Sequence, residues 1–102
     1  MRMVWISLAA LAAGCSWVRL DESAATVRVL SLGAPVAGCQ YKGEISTSVT
    51  NRLAGIERNS IKVADELETL ARNEAASLGA NTLRAESEPV AGEQRFTAYV
   101  CP

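Results

Sequence analysis

The sequence predicts an α+β domain in which one amphipathic helix packs on a small, mostly antiparallel sheet, with the element order ββαββ. Three observations support this fold class. Apolar residues recur with helical spacing across residues 60–78, apolar and polar residues alternate across 39–49 and 94–101, and glycine or proline separates these segments. If the helix is a right-handed crossover, the fourth strand can lie between the second and third strands, antiparallel to both.

Four strands are predicted from β-branched and alternating residues, at 26–32, 39–49, 80–85 and 94–101. The third and fourth strands form a hairpin around a turn at 89–92, which begins with Pro89 and ends with Gly92. Residues 50–59 contain two asparagines and one glycine and keep no sustained period, so they predict a loop.

The helix is predicted to begin with Ser60 as its N-cap and to stop at Gly79. Its apolar stripe consists of Val63, Ala64, Leu67, Leu70, Ala71 and Leu78. Glu74 falls inside this stripe, which leaves two interpretations. Its methylenes can lie along the sheet edge while the carboxylate reaches water or a nearby arginine. Alternatively, the carboxylate is partly buried beneath the helix end, where it acts as a switch or forms part of a groove for a partner.

The N-terminus has the layout of a secretory signal: one arginine, an apolar run and small residues before a cysteine. Residues 11–15, Leu-Ala-Ala-Gly-Cys, resemble the lipobox of bacterial lipoproteins, in which the cysteine receives a diacylglycerol and an acylated amino group. This resemblance implies a signal peptide at 1–14, a lipidated N-terminus and spacer at 15–25 with palmitate-type acyl chains on Cys15, and a periplasmic domain at 26–102. Ser16 after the cysteine implies export to the outer membrane, because Asp there tends to retain such proteins in the inner membrane.

Two other interpretations of the N-terminus are open. A transmembrane helix needs about 20 apolar residues, and residues 3–18 supply only 16 before Arg19, which is too few. An ordinary signal peptide would release a soluble protein and has no need of Cys15. Removal of 14 residues from 102 leaves 88, enough for one small domain.

Composition narrows the function further. Without Arg2 the mature chain has nine basic and eleven acidic residues, a net charge of 9 − 11 = −2, so no basic field favours nucleic acid as a partner. The sequence contains no histidine, the commonest general base and metal ligand, and it suggests no cofactor or metal. The remaining cysteines, Cys39 and Cys101, form an even pair in an exported chain, which predicts a disulfide. A thiol-based metal or redox site is the alternative, although no Cys-x-x-Cys pair is present.

Three stretches resemble the YjeI-like family of small bacterial lipoproteins with a domain of unknown function. They are Gly38-Cys39, the run 71–76 that continues into Gly79-Ala80-Asn81, and the terminal Tyr-Val-Cys-Pro of 99–102. More loosely, the layout resembles the RcsF envelope-stress lipoprotein, which has two disulfides where this chain can form one. The resemblance implies an envelope location and the fold, and the family has no established activity.

Charged residues offer weaker candidates for binding. Glu86, Glu88 and Glu93 flank the predicted hairpin turn and could bind a cation, while Arg52, Arg58 and Lys62 could meet phosphate or an anionic glycan. A solvated turn for the glutamates and a solvated loop for the basic residues are the preferred explanations. The candidate partner surface is placed at Glu74, Asn73 and Arg58.

Two functional hypotheses of different classes follow. The first is a non-enzymatic lipoprotein anchored to the outer membrane and facing the periplasm, a binding or envelope-structure and stress module for a protein or cell-wall partner. The second is a small periplasmic thiol-redox or hydrolytic enzyme that uses Cys39 and Cys101.

Overall fold

The computed structural model describes residues 18–53 and 55–102, apart from the side chain of residue 53. A short 3-10 helix, Glu22–Ala24, comes first. The other elements are β1 (Arg28–Leu30), β2 (Gln40–Ser48), β3 (Arg52–Leu53), β4 (Ile56–Glu57), α1 (Ser60–Ser77), β5 (Thr82–Ala85) and β6 (Glu93–Val100). In this part of the chain, no helix has the length and apolar character needed to cross a membrane.

The main sheet has four strands in the order β1-β5-β6-β2. β6 is antiparallel to both β5 and β2, and β1 pairs with β5 in parallel. The predicted α+β fold is therefore confirmed, including the position of the last strand between the two strands that the helix connects. β1 and β5 are shorter than the predicted strands at 26–32 and 80–85.

The core lies between α1 and one face of the sheet. From α1 it takes Ala71 and Ala75, both fully buried, and from the sheet it takes residues of every main strand or its flank: Val27, Ile45, Leu83, Phe96 and Ala98. Small alanine side chains on the helix let its axis approach the sheet closely, so the larger sheet residues fill the space between them. Leu78, predicted to be in the apolar stripe, is 37% exposed because α1 ends before it.

The start of α1 differs from the prediction. Asn59, rather than Ser60, is the N-cap, and its side-chain oxygen accepts hydrogen bonds from the N–H groups of Ile61 and Lys62 at 2.8 and 3.1 Å. Asparagine and serine are comparably good caps, so the position of the N-cap depends on where the preceding chain turns into the helix. Residues 50–59, predicted to be a loop, contain the small hairpin β3–β4. Asn59 follows this hairpin and caps the helix.

The chain between β1 and β2 must cross the open face of the sheet, the face opposite α1. β1 and β2 are parallel strands on opposite edges, so residues 31–39 pass over β5 and β6. The Nη1 of Arg84 donates a hydrogen bond to the carbonyl of Ala34 in this segment, at 3.1 Å. Thr82, Thr97 and Tyr99 lie on the open face and are nevertheless buried. We attribute their burial to this crossing segment and to the neighbouring side chains.

The β5–β6 hairpin closes with a two-residue turn, Ala91-Gly92. Both residues have positive φ, 52° and 78°, and Val90 and Glu93 exchange both main-chain hydrogen bonds at 2.9 Å. This is the geometry of a type I′ turn, which suits the twist of a hairpin and favours glycine. A Cβ on Gly92 would collide with the carbonyl oxygen of Val49, whose N–H donates to Gly92 at 2.8 Å.

We predict that Gly92→Ala destabilises the protein more than Gly33→Ala does. Both glycines have φ of 78°, but nothing lies within 4 Å of a Cβ at Gly33. The control should cost about 1–2 kcal/mol for the left-handed conformation alone. The collision with Val49 should raise the cost at Gly92 by roughly another 1–3 kcal/mol. Urea unfolding of both variants measures the difference, and equal losses would contradict the close approach of β2 to this turn.

Candidate functional site

The segment that leads into the domain is held by the side chain of Asn73 on α1. The N–H of Asp21 donates to Oδ1 of Asn73, and Nδ2 of Asn73 donates to the carbonyl of Arg19, both at 2.8 Å. An amide side chain carries a donor and an acceptor, so it can satisfy two main-chain groups of one extended segment. Asn73, predicted to lie on a partner surface, thus binds the chain's own N-terminal segment.

The residues after this contact are also part of the domain. Ala24 is fully buried in the 3-10 helix, which packs against α1. The predicted spacer at 15–25 therefore shortens, because its second half is folded onto the helix. The predicted lipidation site, Cys15, lies outside the described residues.

The predicted disulfide is present between Cys39 and Cys101. Cys39 ends the segment that crosses the open face, and Cys101 follows the last residue of β6. Both residues are partly buried. The bond therefore fixes the end of the crossing segment to the neighbouring strand at the position where β2 begins.

Asn81 reinforces the same junction from the other side. Its Oδ1 accepts from the N–H of Cys101 at 2.8 Å, and its Nδ2 donates to the carbonyl of Cys101 at 3.0 Å. Its main-chain N–H donates to Tyr99, and its carbonyl accepts from Arg28. One residue between α1 and β5 thus connects the starts of β1 and β5 with the end of β6.

A polar cluster on the open face was missed by reasoning from the sequence. The guanidinium of Arg84 lies 5.5 Å from the ring centre of Tyr99, and Nε donates to Glu86 at 2.9 Å. The Tyr99 ring meets that of Tyr41 edge to face, with centres 6.3 Å apart. Thr97 completes the cluster and is 7% exposed. Alternation along the two hairpin strands puts Arg84, Thr97 and Tyr99 on one face of the sheet, and this pattern could have predicted the cluster.

The carboxylate of Glu86 is stabilised in its charged form. Hydrogen bonding to Thr97 contributes most, and the hydrogen bond and positive charge of Arg84 add to it, so the pKa of Glu86 falls below its ordinary value of 4.5 despite an opposing effect of burial. Glu86 and Arg84 therefore form a charged pair at the edge of the hollow between Tyr41 and Arg95, which has a volume of about 320 Å³.

Arg58, the second residue of the predicted partner surface, is engaged within the domain. Its two terminal nitrogens donate to the carboxylate of Glu66 on α1 at 3.1 and 2.8 Å, and Nη1 also donates to the carbonyl of Thr50 at 2.7 Å. The hydrogen bond and charge of Glu66 raise the pKa of Arg58. This fork fastens the loop around the β3–β4 hairpin to the first half of the helix.

Glu74 is exposed, which excludes the interpretation of a partly buried carboxylate beneath the helix end. Together with Leu70 it forms one wall of a groove of about 400 Å³, and residues 44–48 of β2 form the other. Glu74 forms no ion pair with another described residue. Of the three residues predicted for a partner surface, Glu74 is the one whose side chain makes no hydrogen bond or ion pair with another described residue.

The acidic residues around the hairpin turn do not act as a group. Glu86 pairs with Arg84, whereas Glu88 and Glu93 are exposed. Within residues 18–53 and 55–102, no three side chains of the metal-binding types come together at a possible metal site. Arg52 and Lys62 are exposed near Arg58, which is paired with Glu66.

These features define a class of protein: a small α+β domain with one internal disulfide, whose N-terminal segment is fastened to the helix as it enters. A family profile described as "Domain of unknown function (DUF4156)" matches residues 18–101, and the chain belongs to that family. The matched region includes the segment that Asn73 binds. No curated protein and no solved structure matches the chain.

We predict that Asn73→Ala releases residues 19–21 while the sheet stays folded. Loss of two hydrogen bonds should lower the free energy of unfolding by about 1–2 kcal/mol and speed hydrogen exchange at the Asp21 amide at least about tenfold. Ser77→Ala is the matched control, because the Ser77 hydroxyl bonds only to Glu74 on the same helix. If exchange at Asp21 is unchanged in Asn73→Ala, the amide does not hold this segment.

We predict that Glu86→Gln lowers stability at neutral pH and that the loss shrinks in acid. When folding lowers the pKa of a carboxyl group, the unfolded state binds more protons than the folded state between the two pKa values. The contribution of Glu86 to the free energy of unfolding is therefore present above about pH 4.5 and disappears as the pH falls through the folded pKa. Urea unfolding from pH 7 to pH 2 tests this. Glu88→Gln, at an exposed position two residues away, serves as the control, and parallel pH profiles for wild type and Glu86→Gln would contradict it.

Proposed function

We propose that the protein is a lipoprotein of the outer membrane that faces the periplasm, and that its domain is a non-enzymatic binding or envelope-structure and stress module. The lipobox-like residues 11–15 support the anchor, and Ser16 supports outer-membrane sorting. The resemblance to the YjeI-like lipoproteins, and the looser one to RcsF, supports an envelope role.

The observation that carries the proposal is the contact between Asn73 and residues 19–21. Arg19 follows Cys15 by only four positions, and four extended residues span at most about 14 Å. A lipid on Cys15 would therefore hold the helical side of the domain next to the membrane surface. Such a short connection suits a module that acts on a partner at the membrane rather than one that reaches far into the periplasm.

A structural role for the cysteine pair agrees with this proposal. Cys39 and Cys101 are bonded to each other, and Asn81 holds the main chain of Cys101 through two hydrogen bonds. A thiol-redox enzyme needs a thiolate that is available for attack. Thiol titration of the native protein separates the two functions, because a structural disulfide yields no rapidly reactive thiol at either position.

We predict that Cys15 carries the lipid. Metabolic labelling with palmitate should label the wild type and the double variant Cys39→Ser/Cys101→Ser, and should leave Cys15→Ser unlabelled, because only the N-terminal cysteine is acylated. Three acyl chains, at roughly 0.8 kcal/mol for each buried methylene, make the attachment effectively permanent. Label on Cys15→Ser would overturn the lipoprotein proposal.

Membrane fractionation tests the outer-membrane part separately. The wild type should sediment with the outer membrane, and Ser16→Asp should shift to the inner membrane while its palmitate label remains. A wild-type protein found in the inner membrane would refute outer-membrane sorting without affecting the assignment of the lipid.

A further inference from the structure

β2 is an edge strand of the main sheet, and the hydrogen-bonding direction of its residues follows from contacts on β6. The carbonyls of Tyr99 and Arg95 accept hydrogen bonds from the β5 side, so Phe96 and Ala98, whose main-chain groups point the other way, face β2. The N–H of Val49, two residues beyond Thr47, donates to the carbonyl of Gly92, so odd-numbered residues at this end of β2 point toward β6. In this register, Ile45 and Thr47 face β6.

The residues between them face outward. Glu44, Ser46 and Ser48 each direct one N–H and one carbonyl away from the sheet, because neighbouring residues of a strand point their main-chain groups in opposite directions. Together they present alternate donors and acceptors along half of β2. The other half is unsuited to pairing, since the register shifts between Tyr41 and Gly43 and forms a bulge.

This free edge borders the groove beneath α1. Leu70 is partly buried and supplies an apolar wall, Ile45 and Thr47 point from β2 toward the helix, and the exposed carboxylate of Glu74 stands at the rim. An added strand would therefore find main-chain partners on one side and a shaped, acidic groove for its alternate side chains. The opposite edge, β1, has only three residues and offers a shorter surface.

We propose that the β2 edge binds an extended segment of a partner protein as a fifth strand, with a small apolar side chain against Leu70 and a basic side chain beside Glu74. Charge complementarity supports a basic segment, because the exposed carboxylate of Glu74 lines the groove and forms no ion pair with another described residue. Strand addition of this kind obtains affinity from main-chain bonds and specificity from alternate side chains. The inference rests on the proposed function as a binding module and identifies the kind of partner.

Ser46→Pro tests the main-chain component. Its N–H faces outward, so proline removes a donor from the free edge without breaking a bond to β6, and edge strands tolerate proline. Ser46→Val is the matched control, because it changes the side chain and keeps the N–H. Glu74→Lys tests the charge and leaves every described hydrogen bond of the sheet in place.

Random 12-residue peptides displayed on phage should be selected in parallel on the purified full-length protein and on Ser46→Pro. We expect the wild type to enrich peptides with an alternating pattern and a basic residue. These peptides should bind Ser46→Val as tightly as the wild type, and should bind Ser46→Pro and Glu74→Lys at least tenfold more weakly. Synthetic copies with N-methyl groups on the amides that would face β2 should lose binding. On the wild type, NMR should show slowed hydrogen exchange at Ser46 and Ser48.

Three results would overturn the proposal: no enrichment relative to Ser46→Pro, equal binding of the N-methylated peptides, or protection mapped away from β2. Dimerisation of the wild type that Ser46→Pro abolishes would assign the edge to a second copy of the chain instead. If Ser46→Pro does not fold, Glu74→Lys and the N-methylated peptides still decide the matter. None of these results depends on lipidation at Cys15, so palmitate labelling can fail or succeed independently.

Discussion

The bond between Cys39 and Cys101 fixes the one described connection that crosses the open face of the sheet. β1 and β2 lie on opposite edges, so the chain between them spans two strands, and the guanidinium of Arg84 donates a hydrogen bond to the carbonyl of Ala34 within it. In an unbridged chain, the ordering of this segment and of the C-terminus would cost conformational entropy that a small core offsets only with difficulty. The disulfide removes much of that entropy from the unfolded state, since its ends are 62 positions apart.

Two asparagines fix the ends of the described chain by hydrogen bonds, in addition to the covalent bond. Asn73 and Asn81 each use the oxygen and nitrogen of one side-chain amide to bind main-chain groups of a segment distant in sequence, and each thereby fixes a chain end. One holds the N-terminal segment and the other holds the residue that forms the disulfide. Both lie within residues 18–101, the region that the family profile matches.

Much of the fold could be predicted from the sequence because periodicity reports which residues face the core. The helix and the long strands follow from the stripe at 60–78 and the alternation at 39–49 and 94–101, and the central position of β6 follows from a right-handed crossover through the helix. The tertiary contacts could not be predicted from the sequence, since spacing along the chain does not show which distant segment a side-chain amide binds. Asn73 is predicted to lie on a partner surface but binds residues 19–21, and the predicted loop at 50–59 contains a hairpin. Glu74 stands out in the sequence as an acidic residue within the apolar stripe, and the structure shows that it borders an open groove.

The most direct test of this account is the stability of Cys39→Ser/Cys101→Ser against the wild type, measured by urea unfolding together with hydrogen exchange across residues 31–39. The chain-entropy model predicts a loss of about 4 kcal/mol for a loop of this length. Exchange in the crossing segment should also become faster before the sheet opens, because that segment then loses its covalent attachment at Cys39. A loss below about 1 kcal/mol with unchanged exchange across 31–39 would contradict the central role of the disulfide.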